Sequence, residues 1–163
     1  MQEIEITTKV RVCDYSELTT EEKHLVDVAK EQTKNSYSPY SHFAVGAAVQ
    51  MQDGEIFGGS NQENAAYPSG LCAERTAIFY ASAHRPNTAM TAIAIAAYSG
   101  GDFLDKSAAP CGSCRQVLLE YEHKFKTPMK VILYGKKCTF VFPSAESLMP
   151  YSFTEDDLFS AQK

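Results

Sequence analysis

The chain of 163 residues carries 15 basic and 20 acidic residues, which gives a formal net charge of −5 at neutral pH. This balance lacks the positive charge that non-specific nucleic-acid binding needs, so it favours a small ligand over a polynucleotide. Hydrophobic residues make up 44% of the chain, but no stretch approaches the roughly 18 apolar residues of a membrane span. Acids interrupt the apolar residues of segment 1–6, so we expect no secretory signal, no membrane partner and a cytoplasmic protein.

No internal repeat, low-complexity tract or Pro/Gly/Ser-rich linker divides the chain, which predicts one domain over residues 1–163. The sequence suggests no role for its lead, residues 1–17. Thr19 then offers an N-cap hydroxyl, and acids with apolar residues at helical spacing follow it, so we expect a first helix that ends near Asn35.

Several apolar runs predict strands. Asp53-Gly54 separates the strand-like runs 43–51 and 55–59, a pattern typical of an antiparallel hairpin with a tight turn. The runs 91–98 and 130–134 are apolar almost throughout, which indicates strands covered on both faces. We expect the hairpin to supply the first two strands of the sheet.

Two further helices are predicted to alternate with these strands. Residues 71–83 are rich in alanine and stop before Arg85-Pro86, and residues 111–125 place apolar side chains on one face. A shorter strand is expected at 139–142. Alternation of strands and helices favours crossover connections, so we predict an α/β protein with three layers, α/β/α, around a mixed sheet of about five strands.

The five cysteines favour metal or redox chemistry over disulfides in a reducing compartment. Cys72, Cys111 and Cys114 lie at the predicted starts of helices, where free N–H groups and the helix dipole stabilise thiolates. Three converging thiolates suit zinc and leave its fourth position open for catalysis. The Cys-x-x-Cys pair alone could be half of a structural zinc knot or a thiol redox pair. Cys13 and Cys138 are interpreted as small apolar residues.

Two charged residues follow the first of these cysteines. Glu74 lies two positions after Cys72, so the side chains point to different sides of a helix and Glu74 is interpreted as a proton carrier rather than a ligand. Three thiolates would leave a zinc site negatively charged, which weakens its hold on hydroxide. Arg75 could hydrogen-bond a ligand sulfur and withdraw part of this charge.

Four segments together resemble the small, homotetrameric class of zinc-dependent cytidine deaminases: 37–43, 61–67, 72–77 and 110–116. The resemblance implies the cytidine deaminase-like fold, one Zn²⁺ per chain and a nucleoside substrate. It implies that zinc-bound hydroxide attacks C4 of the pyrimidine while Glu74 shuttles protons. Cytidine and deoxycytidine would yield uridine and deoxyuridine plus ammonia, in pyrimidine salvage.

The resemblance also assigns substrate contacts. It implies that Asn61 and Glu63 bind the ribose hydroxyls, that Phe43 packs against the nucleoside and that the backbone of Ala73 contacts the pyrimidine. His42 lies beside this pocket and is interpreted as an exposed loop residue.

Active sites of this class lie at subunit boundaries. Ala66 and Tyr67 are therefore expected to complete a neighbour's pocket in a homotetramer, and Phe153 to stack on the base from another subunit. Packing and pocket roles both remain open for Tyr37 and Tyr40.

Two alternative functions remain. The first is a deaminase of RNA, of DNA or of another cytosine-bearing molecule, which the acidic balance disfavours. The second is a zinc-stabilised scaffold or a thiol redox protein, neither of which has a use for Glu74 beside the metal. The sequence does not rank cytidine against deoxycytidine.

Overall fold

A computed structural model describes residues 1–159. Its strands, in chain order, are β1 (Arg11–Cys13), β2 (Ala44–Met51), β3 (Ile56–Ser60), β4 (Met90–Ser99), β5 (Asp102–Phe103), β6 (Lys130–Leu133) and β7 (Thr139–Phe142). They form one sheet in the order β1-β7-β6-β4-β2-β3, and β5 pairs with β4. Strands β4 and β6 are parallel, whereas β2 is antiparallel to both β3 and β4. The protein is therefore an α/β fold with a mixed sheet.

The predicted strand count was too low, because the described part of the sheet has seven strands rather than about five. The additional strands include β1, of three residues, and β5, of two, which are too short to show a periodic pattern. The runs predicted as the first two strands form β2 and β3, which are second and third because β1 precedes them. These two strands pair antiparallel, and Gly54 adopts a φ of 90° in the turn between them.

Four α-helices accompany the sheet in the described residues: α1 (Thr20–Gln32), α2 (Ala73–His84), α3 (Gly112–Phe125) and α4 (Glu155–Phe159). Apolar side chains of α1 pack on one face of the sheet, and those of α2 and α3 pack on the opposite face. Among residues 1–159, no helix combines the length and apolar character that a membrane crossing requires.

The first helix begins as its sequence predicts. The Thr19 hydroxyl accepts the N–H of Glu22, and the Glu22 carboxylate accepts the N–H of Thr19, a reciprocal capping arrangement that satisfies two backbone donors. The helix ends at Gln32, and a short 3₁₀ turn continues to Asn35.

Helix α2 lies very close to the sheet. A Cβ atom added at Gly59 of β3 would lie 2.4 Å from the backbone nitrogen of Ala77, so only glycine allows this approach. Helix α3 connects the parallel strands β4 and β6 on the same face. The two helices contact each other, and the starts of both helices meet at the candidate site.

Candidate functional site

Three cysteine sulfurs meet where α2 and α3 begin. Cys72 is the N-cap residue of α2, Cys111 is the N-cap residue of α3, and Cys114 lies in the first turn of α3. Their Sγ atoms all lie within 4.8 Å of one another, and those of Cys72 and Cys111 are 3.8 Å apart. Tetrahedral zinc with Zn–S bonds of about 2.3 Å separates its sulfur ligands by roughly 3.8 Å. The group therefore has the spacing and donor type of a zinc site.

The protonation of these thiols is coupled. The pKa of Cys72 is lowered to about 5; the largest cause is a hydrogen bond from Cys114, and Arg75 contributes to the decrease. The same hydrogen bond raises the pKa of Cys114, and burial adds to the increase. All five cysteines of the chain are free thiols. Negative charge thus concentrates at Cys72, and a divalent cation can take the place of the shared proton.

Arg75 places a positive charge next to this sulfur group. Its Nη2 lies 3.8 Å from Sγ of Cys72. Its Nε is buried and has no hydrogen-bond partner within residues 1–159. The guanidinium group therefore neutralises part of the thiolate charge and keeps one donor for a further acceptor.

Glu74 lies in the first turn of α2, and its side chain is buried, with the residue 4% exposed. Its carboxylate is not part of the group of ligand atoms formed by the three sulfurs. Burial raises the pKa of Glu74, its own backbone N–H partly offsets this increase, and the negative charge of Cys72 adds to it. Glu74 is therefore a carboxyl group that can hold a proton beside the sulfur group.

A cavity of about 570 Å³ opens next to Cys72 and Arg75, whereas Cys111, Cys114 and Glu74 are not part of its wall. Its size lies in the range of small-molecule sites. Its wall is formed by Tyr40, Ser41, Asn61, Gln62, Glu63, Asn64, Tyr67, Gly70, Leu71, Cys72 and Arg75. Cys72 and Arg75 join the cavity to the sulfur group, so a ligand in the cavity would reach the metal position.

Asn61 lines this cavity and also fixes the chain that leads into β2. Its Oδ1 accepts the N–H of Val45 at 2.7 Å and the hydroxyl of Ser36 at 2.6 Å. Its Nδ2 donates to the carbonyl of Phe43 at 2.9 Å. The amide therefore stiffens this wall of the cavity.

Glu63 also lines the cavity, and it binds the loop of Tyr40 and Ser41, which forms part of the same wall. Its carboxylate accepts the N–H groups of Tyr40 and Ser41 at 2.9 and 3.2 Å, and the Ser41 hydroxyl donates to it as well. The hydrogen bond from the Ser41 hydroxyl is the largest effect that lowers the pKa of Glu63, followed by that from the Tyr40 N–H. Glu63 is thus an ionised acceptor at the cavity wall.

The other residues predicted as substrate contacts lie in different surroundings. Tyr67 lines the cavity and is 81% exposed. The cavity wall of the single chain does not include Phe43, Ala66, Ala73 or Phe153. Ala73 is buried at the start of α2, and Ala66 is exposed.

Phe153 has an exposed side chain, and its carbonyl accepts a hydrogen bond from Gln116 of α3 at 2.9 Å. His42 is exposed, as expected, and adopts a positive φ of 54°.

Sequence reasoning did not identify Ser41 or Arg115. Ser41 lies inside the 37–43 segment, so its position was the available signal. Arg115 follows Cys114 directly; its Nε donates to the carbonyl of Pro110 at 2.9 Å and its Nη1 to that of Leu148 at 3.1 Å. It thereby ties the segment before Cys111 to the C-terminal part of the chain.

Comparison with known proteins supplies a family for this site. Residues 19–127 match the family model of the cytidine and deoxycytidylate deaminase zinc-binding region. The chain is 37% identical over 134 residues to a cytidine deaminase of Sporosarcina psychrophila, a match that covers 82% of this chain and 92% of that protein. It is 33% identical over 135 residues to a probable cytidine deaminase of Dictyostelium discoideum, covering 83% of this chain and 85% of that protein.

Solved structures give the same result for the fold. A cytidine deaminase from Burkholderia pseudomallei superimposes with a TM-score of 0.68 at 38% identity, covering 83% of this chain and all of that one (100%). The corresponding values for a cytidine deaminase from Mycobacterium tuberculosis are a TM-score of 0.63, 31% identity, and coverage of 80% and 95%. The region matched by the family model, residues 19–127, contains Cys72, Cys111, Cys114 and Glu74.

Proposed function

Because this chain belongs to the cytidine and deoxycytidylate deaminase family, we propose that it is a zinc-dependent hydrolase that converts cytidine and deoxycytidine to uridine and deoxyuridine with release of ammonia. One observation carries the proposal: the three sulfurs lie within 4.8 Å of one another beside the buried Glu74, and one of their residues, Cys72, lines a cavity of about 570 Å³. A scaffold or a redox pair would need neither the cavity nor the carboxyl group.

Cys72, Cys111 and Cys114 would hold one zinc ion per chain. When bound, the ion supplies a Lewis acid that lowers the pKa of a water molecule in its fourth position. Arg75 offsets part of the negative charge of the thiolates through its contact with Cys72. The ion would therefore keep its ability to lower the pKa of the water molecule.

Glu74 moves the protons. Its buried carboxylate accepts a proton from the attacking water, whose oxygen forms a bond to C4 of the pyrimidine, and passes that proton to N3. It then takes the second proton from the new C4 hydroxyl, which becomes the carbonyl, and passes it to the departing amine. The bond from C4 to the amine breaks, and ammonia leaves. The raised pKa of Glu74 supports this role because the same group must both hold and release a proton near neutral pH.

Residues of the cavity wall would orient the nucleoside. We assign the ribose hydroxyls to Asn61 and Glu63, because both line the cavity and because the lowered pKa of Glu63 keeps an ionised acceptor there. Phe43, whose carbonyl accepts a hydrogen bond from Asn61, would pack against the nucleoside. The backbone of Ala73 would contact the pyrimidine.

The active form would be a homotetramer with active sites at subunit boundaries. The 81% exposure of Tyr67 supports this arrangement, because a large aromatic side chain in a cavity wall is left open on its other side. Ala66 would accompany it, and Phe153 would reach the base from another subunit. Sedimentation of the zinc-loaded protein tests the assembly, and a monomer that is fully active would contradict it.

We place the enzyme in the cytoplasm, in pyrimidine salvage, as a single domain over residues 1–163, with no nucleic-acid or membrane partner. The five free thiols support a reducing compartment. The net charge of −5 supports a nucleoside rather than a polynucleotide as substrate.

The decisive experiment measures zinc content and deamination on one sample. We expect about one zinc per chain and ammonia release from cytidine and deoxycytidine, with none from free cytosine or an oligonucleotide. Removal of zinc with a chelator should abolish turnover, and added zinc should restore it. Activity on the oligonucleotide alone, or full activity without metal, would refute the proposal.

A further inference from the structure

Strand β1 ends the sheet on the side opposite β3. One of its edges pairs with β7, and among residues 1–159 no strand pairs with its other edge. Residues 1–10 precede it without helix or strand, held in part by the Thr8 hydroxyl, which donates to the carbonyl of Ser147 at 3.0 Å. An unpaired edge of this kind is a template for a further strand.

The sequence of this segment has the pattern of a strand with one apolar face. Of the alternate positions from 4 to 12, all but Thr8 are aliphatic: Ile4, Ile6, Val10 and Val12 are 80%, 57%, 40% and 55% exposed. Side chains two positions apart share one face of a strand. The chain therefore presents a row of aliphatic side chains to solvent at the edge of its sheet.

The opposite face carries charges whose sign reverses at Thr7. Glu3 and Glu5 precede this residue, and Lys9 and Arg11 follow it. Among the described residues no ion pair involves either acid or Lys9. Arg11 uses its Nη2 for Glu22, but a guanidinium group has five N–H donors and can bind a second carboxylate.

We propose that residues 3–11 of two copies of this chain pair as an antiparallel β-ribbon whose two-fold axis passes through Thr7. In this register Glu3 lies opposite Arg11 of the second copy and Glu5 opposite Lys9 of the second copy, so symmetry yields four ion pairs on one face. On the other face Ile4 lies opposite Val10.

The charge order selects this partner and this direction. A parallel pairing in register would put Glu3 opposite Glu3 and Lys9 opposite Lys9, which is unfavourable. Because the row contains two acids and two bases, it has no net charge to attract an anionic lipid surface or a strongly charged peptide. The same row read in reverse is its own complement, as a two-fold symmetric interface requires.

Charge reversal tests the proposal. Glu5→Lys and Lys9→Glu each place like charges opposite each other twice per ribbon, so each variant should lose roughly tenfold in the affinity of self-association, measured by sedimentation over a concentration series. An equimolar mixture of the two variants restores opposite charges at both positions and should associate as the unaltered protein does. The double variant Glu5→Lys/Lys9→Glu should do so as well.

Glu120→Lys, a reversal at an exposed position of α3, is the matched control and should leave association unchanged. Deamination should be equal in all these proteins when it is compared at concentrations where sedimentation shows the same state of assembly, because the segment lies outside the cavity wall. Single variants that associate normally would overturn the proposal. So would a mixture that associates no better than either variant alone, which would point to another occupant of the edge. The outcome does not depend on the proposed activity.

Discussion

Glu74 and Glu122 are both buried on helices that cover the same face of the sheet, with exposures of 4% and 7%. Glu122 accepts the backbone N–H groups of Met129 at 2.8 Å and Ala145 at 2.7 Å. Glu74 has its own N–H and the Cys114 thiol as neighbours, and burial raises its pKa. A carboxylate whose oxygens are occupied by backbone donors fixes the fold, whereas one beside a thiol group can change its protonation.

Replacement of Glu74 should give the largest effect. Glu74→Gln keeps the shape of the side chain but cannot carry a proton, so we expect turnover of cytidine to fall by roughly 10²- to 10⁴-fold. Zinc content and the free energy of unfolding should stay close to those of the unaltered protein. Steady-state ammonia release and metal analysis on the same sample measure both quantities.

Glu120→Gln, at an exposed position of α3, is the matched control and should keep full activity. If Glu74→Gln also kept its turnover, Glu74 would be one more structural glutamate and the contrast with Glu122 would disappear.

Replacement of Arg75 should have the next largest effect on turnover, because Arg75 contacts the Cys72 thiolate, whose negative charge acts on Glu74. Arg75→Ala removes the cation 3.8 Å from Sγ of Cys72, and we expect a roughly 10- to 100-fold loss of kcat with zinc retained. The lost cation should also shift the acidic limb of the kcat pH profile, a change that a purely structural role would not produce. Arg75→Lys should recover part of the loss, and unchanged turnover in Arg75→Ala would remove Arg75 from the mechanism.

The sequence predicted the sulfur group because its determinants are local. Cys111 and Cys114 lie three positions apart, so the first turn of a helix brings their sulfurs together. Cys72 was placed at the start of α2 by the same local reasoning, and its sulfur joins the group. The role of Glu74 as a proton carrier stays a prediction. Helices α1, α2 and α3 and strands β4 and β6 were predicted for the same reason, since the local sequence of each helix and the nearly continuous apolar run of each strand identify them. The short helix α4 was not predicted.

The rest depended on contacts between distant residues. Glu122 accepts hydrogen bonds from backbone N–H groups 7 and 23 positions away in the sequence. Glu63 accepts one from Ser41, which is 22 positions away. Backbone donors leave no side-chain signature in a sequence, so neither contact could be predicted. Strands β1 and β5 were missed because their pairing with β7 and β4 is decided by the partner strands.

Glu122 provides a test of the structural half of the comparison. Glu122→Ala leaves two buried N–H groups without acceptors, so the free energy of unfolding should fall by about 2 kcal/mol. Glu122→Gln keeps one carbonyl oxygen that can accept both N–H groups and should lose less. Denaturant titration measures the difference, with Glu120→Ala as the exposed control on the same helix. Zinc binding should persist in all three, and a loss of zinc in Glu122→Gln would show that Glu122 supports the metal group after all.

Replacement of Glu22 should give the smallest change in stability. Glu22 extends the comparison of Glu74 with Glu122 to a carboxylate that forms ion pairs with two cations, Arg11 and Lys130. Burial raises its pKa, but hydrogen bonds from Lys130, from the Thr19 N–H and from Arg11 outweigh burial, so that the pKa of Glu22 is lowered overall. A lowered folded-state pKa adds stability that is complete above the unfolded value of about 4.3 and disappears as the pH falls through the folded value. The free energy of unfolding of the unaltered protein should therefore be about 1 kcal/mol higher than that of Glu22→Gln at pH 7.

This advantage should shrink as the pH falls below about 4.3, which urea titrations of both proteins at each pH would measure. Acid-induced loss of zinc affects both proteins and cancels in the difference. Lys130→Met removes one of the two cations, at 2.9 Å from Glu22, and should reduce the advantage without abolishing it, because Arg11 remains at 2.7 Å. A difference that grows on acidification would mean that the pKa of Glu22 is raised in the folded protein. Burial would then outweigh the cations at Glu22 as it outweighs the neighbours of Glu74.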